Sequence, residues 1–140
     1  MIKTVKNPPE KDVLAVILDD EIYDRHTDDT DPPKHKLGAA NLSGWVTLCG
    51  YVEGNIASLF LVKDGQLHFY CLKPYRRHAR TLLNQALKTH RKPVFCEIPV
   101  LYLETINFAL KAGFRRLQRK RDAWVKNGQI YDVEVLRWAR

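Results

Sequence analysis

The sequence has no long hydrophobic run. None of its apolar stretches approaches the roughly 18 to 20 residues that a membrane-spanning helix requires, so we expect no membrane association. Residues 1–6 lack the apolar stretch of a secretory signal peptide, and we therefore expect a cytoplasmic protein.

Cysteine is also scarce. Cys49, Cys71 and Cys96 are too few and too scattered for a disulfide framework, and no Cys/His pairing has zinc-site spacing. We expect three small hydrophobic side chains buried within strands, and no metal. Internal repeats and low-complexity tracts are absent. The 140 residues, 45% hydrophobic and 28% charged, indicate one ordinary globular domain spanning residues 1–140.

Charge is distributed unevenly along the chain. Residues 1–72 carry seven Lys/Arg and eleven Asp/Glu, a net −4, whereas residues 73–140 carry sixteen and five, a net +11. Seven of the acids lie within residues 19–31, which we term the acidic segment. Such a split suggests that the second half meets a polyanion, either nucleic acid or a phosphorylated cofactor. The alternative is two solvated surfaces of opposite charge.

The first half predicts one helix followed by three strands. A Pro-Pro-Glu sequence at residues 8–10 marks a helix start, and an apolar stripe at helical spacing follows it: Leu14, Ile17, Leu18 and Ile22. Residues 26–33 form a polar loop ending in two prolines. Strand-like runs at 45–52, 56–62 and 67–72 are separated by Glu-Gly and Asp-Gly dipeptides, which favour hairpin turns. This pattern indicates an antiparallel meander.

The second half predicts a β-α-β crossover, a helix and a hairpin. Apolar residues at helical spacing run over residues 79–90, and a short strand at 94–98 follows, so the two flanking strands should be parallel. A second helix covers about 101–112 and ends at Gly113. Strands at 123–125 and 130–136 flank Asn127-Gly128. We predict an α/β (α+β) fold whose mixed sheet carries helices on both faces, antiparallel at its ends and parallel in its middle.

The junction between the third meander strand and the next helix is the most distinctive stretch. Residues 72–81, which we term the cofactor segment, include one lysine, three arginines, a histidine and a threonine. The first amides of a helix lack intrahelical partners and carry partial positive charge, so they stabilise bound phosphate. Cations are normally disfavoured there, and a bound anion would explain the cluster. The alternative is that the arginines pair with the acidic segment.

These residues resemble the pyrophosphate-binding motif of the GNAT N-acyltransferase superfamily. In that family, a strand ending in a Val-x-Pro-like step precedes an Arg/Gln-x-x-Gly-x-Gly/Ala loop. Leu72-Lys73-Pro74 is similar to the strand end and residues 76–81 to the loop, with Ala79 and Thr81 at the glycine positions. Residues 106–114 resemble the family's helix that ends in Gly-Phe. The resemblance extends from about residue 45 and is nearest to small bacteriophage-encoded GNAT-like proteins with an eroded acyl-CoA motif.

The resemblance implies acetyl-CoA as the donor and an amine, carried by a small molecule or a protein, as the acceptor. The family's general-acid tyrosine position holds Ala109, and its pantetheine-contacting asparagine position holds Tyr102, a candidate catalytic residue. The implied cofactor-binding residues are Leu72, Lys73, Tyr75, Arg76, Arg77, His78, Ala79, Arg80 and Thr81.

Acyl transfer to an amine also needs a group that accepts the amine's proton. The candidates are His68 on the third meander strand, Glu97 on the crossover strand and Asp64 in a turn. His68 shares a strand face with Tyr70, and it is either a base facing the cleft or a structural histidine. By the resemblance, Glu97 lies beside the place where family members bind the acyl group.

Three functional hypotheses follow. The first is a GNAT-fold N-acyltransferase that uses acetyl-CoA. The second is a catalytically degenerate phage GNAT-like protein that acts by protein contact, in the virion or on a host factor. The third is nucleic-acid binding through the basic run at residues 115–121, with Trp124 and Tyr131 available for stacking. No RRM, helix-turn-helix or zinc-finger spacing supports the third hypothesis, and such runs are more often solvated connectors.

Overall fold

A seven-stranded sheet carries four α-helices in the residues that the computed structural model describes, 1–31, 42 and 44–139. A 3-10 helix, Lys73–His78, leads directly into the third α-helix. The strands are β1 (Ile2–Lys6), β2 (Val46–Val52), β3 (Asn55–Lys63), β4 (Gln66–Cys71), β5 (Val94–Pro99), β6 (Arg115–Lys126) and β7 (Gln129–Trp138). The helices are α1 (Glu10–Ile17), α2 (Asp20–His26), α3 (Ala79–His90) and α4 (Leu103–Lys111).

The strand order is β1-β2-β3-β4-β5-β7-β6. Strands β2 to β4 form the predicted meander, and helix α3 crosses over to place β5 parallel to β4. All other neighbouring pairs among the described strands are antiparallel. The predicted α/β fold with a mixed sheet is therefore confirmed.

Local turn chemistry fixes two of the hairpins. Asp64 and Gly65 have φ angles of 52° and 81°, and Asn127 and Gly128 have φ angles of 51° and 77°. A type I′ turn needs positive φ at both central positions, which Asn, Asp and Gly tolerate best. These dipeptides therefore set the registers of β3–β4 and β6–β7, as the sequence predicted.

Helices cover both faces of the sheet, as predicted. On the α1/α2 face, the helices pack on β2 and β3 through Val13, Val16, Ile22, Cys49, Leu59 and Leu61. The α3/α4 face holds a larger core that includes Leu48, Phe60, Leu83, Leu87, Ile106 and Leu136. Strand side chains alternate between faces. Leu67 and Phe69 of β4 pack on the α3/α4 face, so His68 and Tyr70 project onto the α1/α2 face.

Gly113 ends α4 as the sequence predicted. Its φ angle is 103°, its amide donates to the Leu110 carbonyl, and the Phe114 amide donates to the Ala109 carbonyl. This pair of hydrogen bonds is a Schellman motif, which satisfies carbonyls at the end of the helix. The buried Phe114 side chain then joins the α3/α4 core.

The N-terminal region differs from the prediction in two ways. The single helix predicted over Leu14 to Ile22 is wrong, because the helix breaks at Leu18 and Asp19 and continues as α2. The Asp19 backbone is extended and its carboxylate accepts a hydrogen bond from the Ile22 amide at 3.2 Å, so Asp19 caps a new helix. Strand β1 was not predicted. The two prolines of the predicted loop, at 32 and 33, lie outside the described residues.

The basic run at residues 115–121 is a strand and not a connector. It forms the first part of β6, at one edge of the sheet, where most of its side chains are exposed. The register of β6 against β7 shifts twice, between Arg116 and Gln118 and between Lys120 and Trp124. Such bulges and charges are common on edge strands because they oppose pairing with another chain.

All three cysteines lie in strands and are free thiols, with Cys49 and Cys96 buried and Cys71 partly buried. Burial raises the pKa of the Cys49 thiol to about 12, so the side chain is an apolar thiol at neutral pH. Within the described ranges, no helix is long and apolar enough to cross a membrane, and no group of His, Cys, Asp and Glu residues could hold a metal ion.

Candidate functional site

Strands β4 and β5 diverge from a single point of contact. Gln66 and Phe95 are the one pair that joins them in the described chain, and the Phe95 amide donates to the Gly65 carbonyl at 2.9 Å. Beyond this pair, β4 follows β3 and β5 follows β7. A gap therefore opens between the two strands toward their carboxyl ends, and polar side chains of both strands border it.

His68 borders the gap on the α1/α2 face. Its Nδ1 lies 3.3 Å from the Tyr70 hydroxyl, and its ring centroid lies 5.7 Å from that of Trp45. Burial lowers the pKa of His68, the charge of His26 lowers it further, and Glu97 opposes both effects. The imidazole is therefore neutral at pH 7, and its Nε2 has no hydrogen-bond partner among the described residues. When Nδ1 carries the ring proton and donates it to the Tyr70 oxygen, Nε2 is the unprotonated nitrogen and can accept a proton.

His26 was not identified from the sequence. It closes α2, its ring centroid lies 5.0 Å from that of Tyr70, and its Nε2 lies 3.4 Å from the Ile17 carbonyl oxygen. Burial lowers the pKa of His26 as well. The only sequence signal is its spacing from Ile22, four residues earlier on the same helix face. His26, Tyr70 and His68 thus form a partly buried row of rings between α2 and β4.

Glu97 projects toward the same face from β5, but both of its carboxylate oxygens are engaged. Oε2 accepts a hydrogen bond from Gln66 Nε2 at 2.8 Å, and Oε1 forms an ion pair with Lys120 of β6. These contacts fix the carboxylate beside the gap. Its arrangement suits electrostatic support of a neighbouring group more than acceptance of a proton.

Asp64 lies at the closed end of the gap. It is exposed in the β3–β4 turn and forms no hydrogen bond or ion pair with the part of the chain that the structure describes. Among the three candidate bases, His68 alone combines proximity to the gap with a free acceptor nitrogen.

Tyr102 lies after β5 and immediately before α4, beside Arg25 of α2. The Arg25 guanidinium stacks over its ring at 4.7 Å from the centroid, and an Arg25 nitrogen donates to the Thr105 hydroxyl at 3.2 Å. The ring borders an open depression of about 320 Å³ together with Leu101, Leu103 and Glu104. Burial raises the pKa of Tyr102. Among described residues, Tyr102 makes no hydrogen bond to His68 or Glu97.

Ala109 of α4 carries no group that could donate a proton. It is 5% exposed and points into the α3/α4 core beside Ile106 and Phe114. The position that the resemblance associates with a general acid therefore faces apolar side chains in this chain.

The cofactor segment differs from an open phosphate loop. Its residues from Lys73 to His78 form a 3-10 helix, in which the Tyr75 amide donates to the Leu72 carbonyl and the Ala79 amide donates to the Arg76 carbonyl. The Leu72 amide donates to the Ala57 carbonyl of β3 at 2.8 Å. Within residues 76–81, the predicted phosphate loop, the Ala79 amide is thus bonded within the protein.

The basic side chains of the cofactor segment are exposed, and they fall into two groups. Arg76 forms an ion pair with Glu21 of α2, so the pairing of an arginine with the acidic segment is confirmed for this residue. Lys73, Arg77 and Arg80 form no ion pair with the acids of the described chain, although Arg77 Nε lies 3.1 Å from His78 Nε2. Three cations therefore remain available to an anion beside α3.

The acidic segment is also bound to the β6–β7 turn, and we term this contact the clasp. Lys126 is 9% exposed, and its Nζ donates to the Thr27 carbonyl at 2.7 Å and to the Asp24 carbonyl. The Asp29 carboxylate accepts hydrogen bonds from the backbone amides of Asn127 and Gly128 at 2.9 and 2.8 Å. The clasp holds the chain after α2 against the end of the sheet that carries β6 and β7.

The fold of the chain is that of GNAT-family acetyltransferases. It matches a GNAT-family acetyltransferase of Streptococcus pneumoniae with a TM-score of 0.69 and 13% identity, over 99% of each chain. It matches the ribosomal-protein-alanine N-acetyltransferase of Brucella melitensis (TM-score 0.70, 18% identity, 100% of this chain and 99% of that one). It also matches the spermidine N-acetyltransferase of Vibrio cholerae, solved with CoA and spermine (TM-score 0.75, 11% identity, 99% and 94%).

The sequence matches no protein-family model and no curated protein. The likeness is therefore one of fold, carried by the order and pairing of the strands and helices over the whole described chain.

Proposed function

We propose that this protein is an N-acyltransferase that moves an acetyl group from acetyl-CoA to an amine. The observation that carries the proposal is the divergence of β4 and β5 from the single Gln66–Phe95 pair, with His68 at its border. The fold is shared with acetyltransferases over nearly the full length of each chain, and one of those structures holds CoA and an amine. Together these features support a site where a thioester meets an amine.

Acetyl-CoA supplies an activated thioester. We propose that the exposed cations Lys73, Arg77 and Arg80 hold its phosphates, because phosphate binds Arg bidentately and Lys as a point charge. Arg76 joins them when it leaves Glu21. The remaining residues of the predicted set, Leu72, Tyr75, His78, Ala79 and Thr81, would contribute backbone and packing contacts.

His68 acts as the general base in this proposal. As the amine nitrogen forms its bond to the acetyl carbon and the carbon–sulfur bond breaks, the amine proton passes to His68 Nε2. The CoA sulfur leaves with the electron pair as a thiolate, which takes a proton from solvent. Tyr70 orients the ring through Nδ1, and we propose that Nε2 faces the gap. Glu97, held by Gln66 and Lys120, stabilises the imidazolium that forms. Tyr102, beside Arg25, stays a predicted catalytic residue.

Calorimetric titration with acetyl-CoA tests the proposal, followed by a thiol-release assay with spermidine and a lysine peptide as acceptors. We expect saturable binding and release of CoA that requires an amine. His68→Gln should retain binding and lose turnover, whereas Arg77→Ala/Arg80→Ala should lose binding. Absence of binding at millimolar acetyl-CoA would overturn the proposal.

A second candidate is a catalytically degenerate phage GNAT-like protein that acts by protein contact, in the virion or on a host factor in the host cytoplasm. The specific observations in its favour are the Arg76–Glu21 pair, the bonded amides of the cofactor segment and the buried Ala109. Its test is affinity capture from host lysate with the wild type and with Arg76→Ala/Arg77→Ala. A specific partner retained by both, with no acetyl-CoA binding, would favour this candidate over the enzyme.

A further inference from the structure

Glu21 occupies the guanidinium that a ligand phosphate would use. Its carboxylate forms an ion pair with Arg76, and the two side chains are 42% and 43% exposed, so solvent reaches the pair. A guanidinium offers a planar fork of donors, and carboxylate and phosphate oxygens bind to the same fork. The Glu21 carboxylate and a phosphate at Arg76 therefore compete for the same donors.

The same helix reaches the proposed base. Five residues after Glu21, the His26 ring packs on Tyr70, whose hydroxyl lies 3.3 Å from His68 Nδ1. Helix α2 has only seven residues, and Glu21 therefore lies less than two helical turns from His26. Helix α2 therefore joins the cofactor segment to the row of rings beside the gap.

We propose that Glu21 is an internal competitor for Arg76, displaced when a phosphate group binds, and that its displacement removes one of the contacts that hold α2 over β4. The identity of the phosphate compound as acetyl-CoA rests on the proposed function; the competition does not. If a bound anion displaces Glu21 from Arg76, then by thermodynamic linkage Glu21 weakens anion binding by the same factor. Removal of the Glu21 charge should therefore tighten anion binding. We expect a tightening of roughly two- to fivefold, which corresponds to about 0.4–1 kcal/mol and lies within what an exposed ion pair contributes.

The test compares calorimetric affinities for inorganic pyrophosphate and for CoA in four variants. Glu21→Gln removes the competing charge, and Glu10→Gln removes the same charge from α1, where Glu10 has no ion pair in the described chain. Arg76→Ala and Arg76→Ala/Glu21→Gln complete a double-mutant cycle. We expect Glu21→Gln to bind both probes two- to fivefold more tightly than wild type and Glu10→Gln, and to have no effect in the Arg76→Ala background.

Hydrogen exchange supplies a second readout. Pyrophosphate should speed exchange of the α2 amides in the wild type, and in Glu21→Gln these amides should exchange faster before any anion is added. Equal affinities of wild type and Glu21→Gln, or an effect of Glu21→Gln that persists without Arg76, would overturn the competition.

The outcomes separate the two proposals. If Glu21→Gln binds pyrophosphate more tightly but no acetyl-CoA is turned over, the competition at Arg76 is supported and the proposed enzyme activity is contradicted. If acetyl-CoA is turned over but Glu21→Gln does not change the affinity for either probe, the enzyme activity is supported and the competition is contradicted. Binding of neither probe to any variant at millimolar concentration removes both.

Discussion

Tyr70 and His68 lie two residues apart on one face of β4, with the phenol oxygen 3.3 Å from the imidazole Nδ1. This separation orients the ring, and burial keeps it neutral. A general base must be unprotonated to act, so a lowered pKa extends its working range to lower pH.

The first prediction concerns pH. If His68 is the base, kcat/KM calculated for the unprotonated amine should stay constant above the pKa of His68 and fall tenfold for each pH unit below it. Because burial lowers the pKa of His68 from 6.5, the inflection should lie below 6.5. Rates measured between pH 5 and 8 check this. His68→Gln should lower the rate by about 10²- to 10⁴-fold and abolish the inflection.

His90 provides the matched control. Burial lowers its pKa too, but its ring packs on Phe60, on the opposite face of the sheet from His68. His90→Gln should keep both the rate and the inflection. An inflection that moves with His90 and not with His68 would remove His68 from the reaction.

The second prediction concerns the clasp. Asp29→Asn places an amide NH₂ opposite a backbone N–H at the β6–β7 turn, since both Asp29 oxygens accept from backbone amides. Loss of one charge-assisted hydrogen bond should lower the free energy of unfolding by about 1.5–3 kcal/mol. Asp64→Asn makes the same change at an exposed turn residue that has no partner in the described chain, so it should be nearly neutral. Urea unfolding of both variants checks this prediction. Equal unfolding midpoints for Asp29→Asn and Asp64→Asn would contradict a stabilising role of the clasp.

The third prediction concerns position 109. Ala109→Tyr introduces the residue type that the GNAT resemblance associates with a general acid, yet the side chain would enter the packed α3/α4 core. We expect a loss of unfolding free energy of about 1–3 kcal/mol or more and no gain in turnover. Thermal unfolding and the thiol-release assay check the two parts. A stable and faster variant would show that α4 can present this position to the gap.

The fourth prediction concerns nucleic acid. Three of the basic side chains on β6 form ion pairs within the protein: Arg116 with Glu134, Arg119 with Glu134 and Asp132, and Lys120 with Glu97. A duplex would find few free cations there, so gel-shift titrations should show weak binding with little salt dependence. A steep decrease of affinity with salt, abolished by Arg115→Ala/Arg121→Ala, would restore the nucleic-acid hypothesis.

Local chemistry explains what could be predicted from the sequence. Asp64-Gly65 and Asn127-Gly128 define hairpins because few other dipeptides accept positive φ at both positions. Helix α3 follows from its apolar stripe, and Gly113 ends α4. The mixed sheet follows from the order of these elements, because a strand, a helix and a strand in succession cross over to parallel neighbours.

What was missed depends on contacts between distant parts of the chain. Strand β1 pairs with β2 more than forty residues later, as Ile2 with Val52 shows. The edge strand β6 lacks alternation because most of its side chains face water. The contact of His26 with Tyr70 and the clasp between Asp29 and the Asn127-Gly128 turn join residues far apart in the sequence, and no local pattern predicts such partners.

Because Gln66–Phe95 is the one pair that joins β4 to β5 in the described chain, the sheet consists of two parts, one of four strands and one of three. Few backbone contacts hold these two parts together. The apolar side chains that pack beneath this junction, among them Leu67, Val94 and Cys96, therefore fix the angle between the two parts of the sheet. Shortening one of these side chains should therefore alter the width of the gap between β4 and β5, although these side chains lie on the opposite face of the sheet from His68.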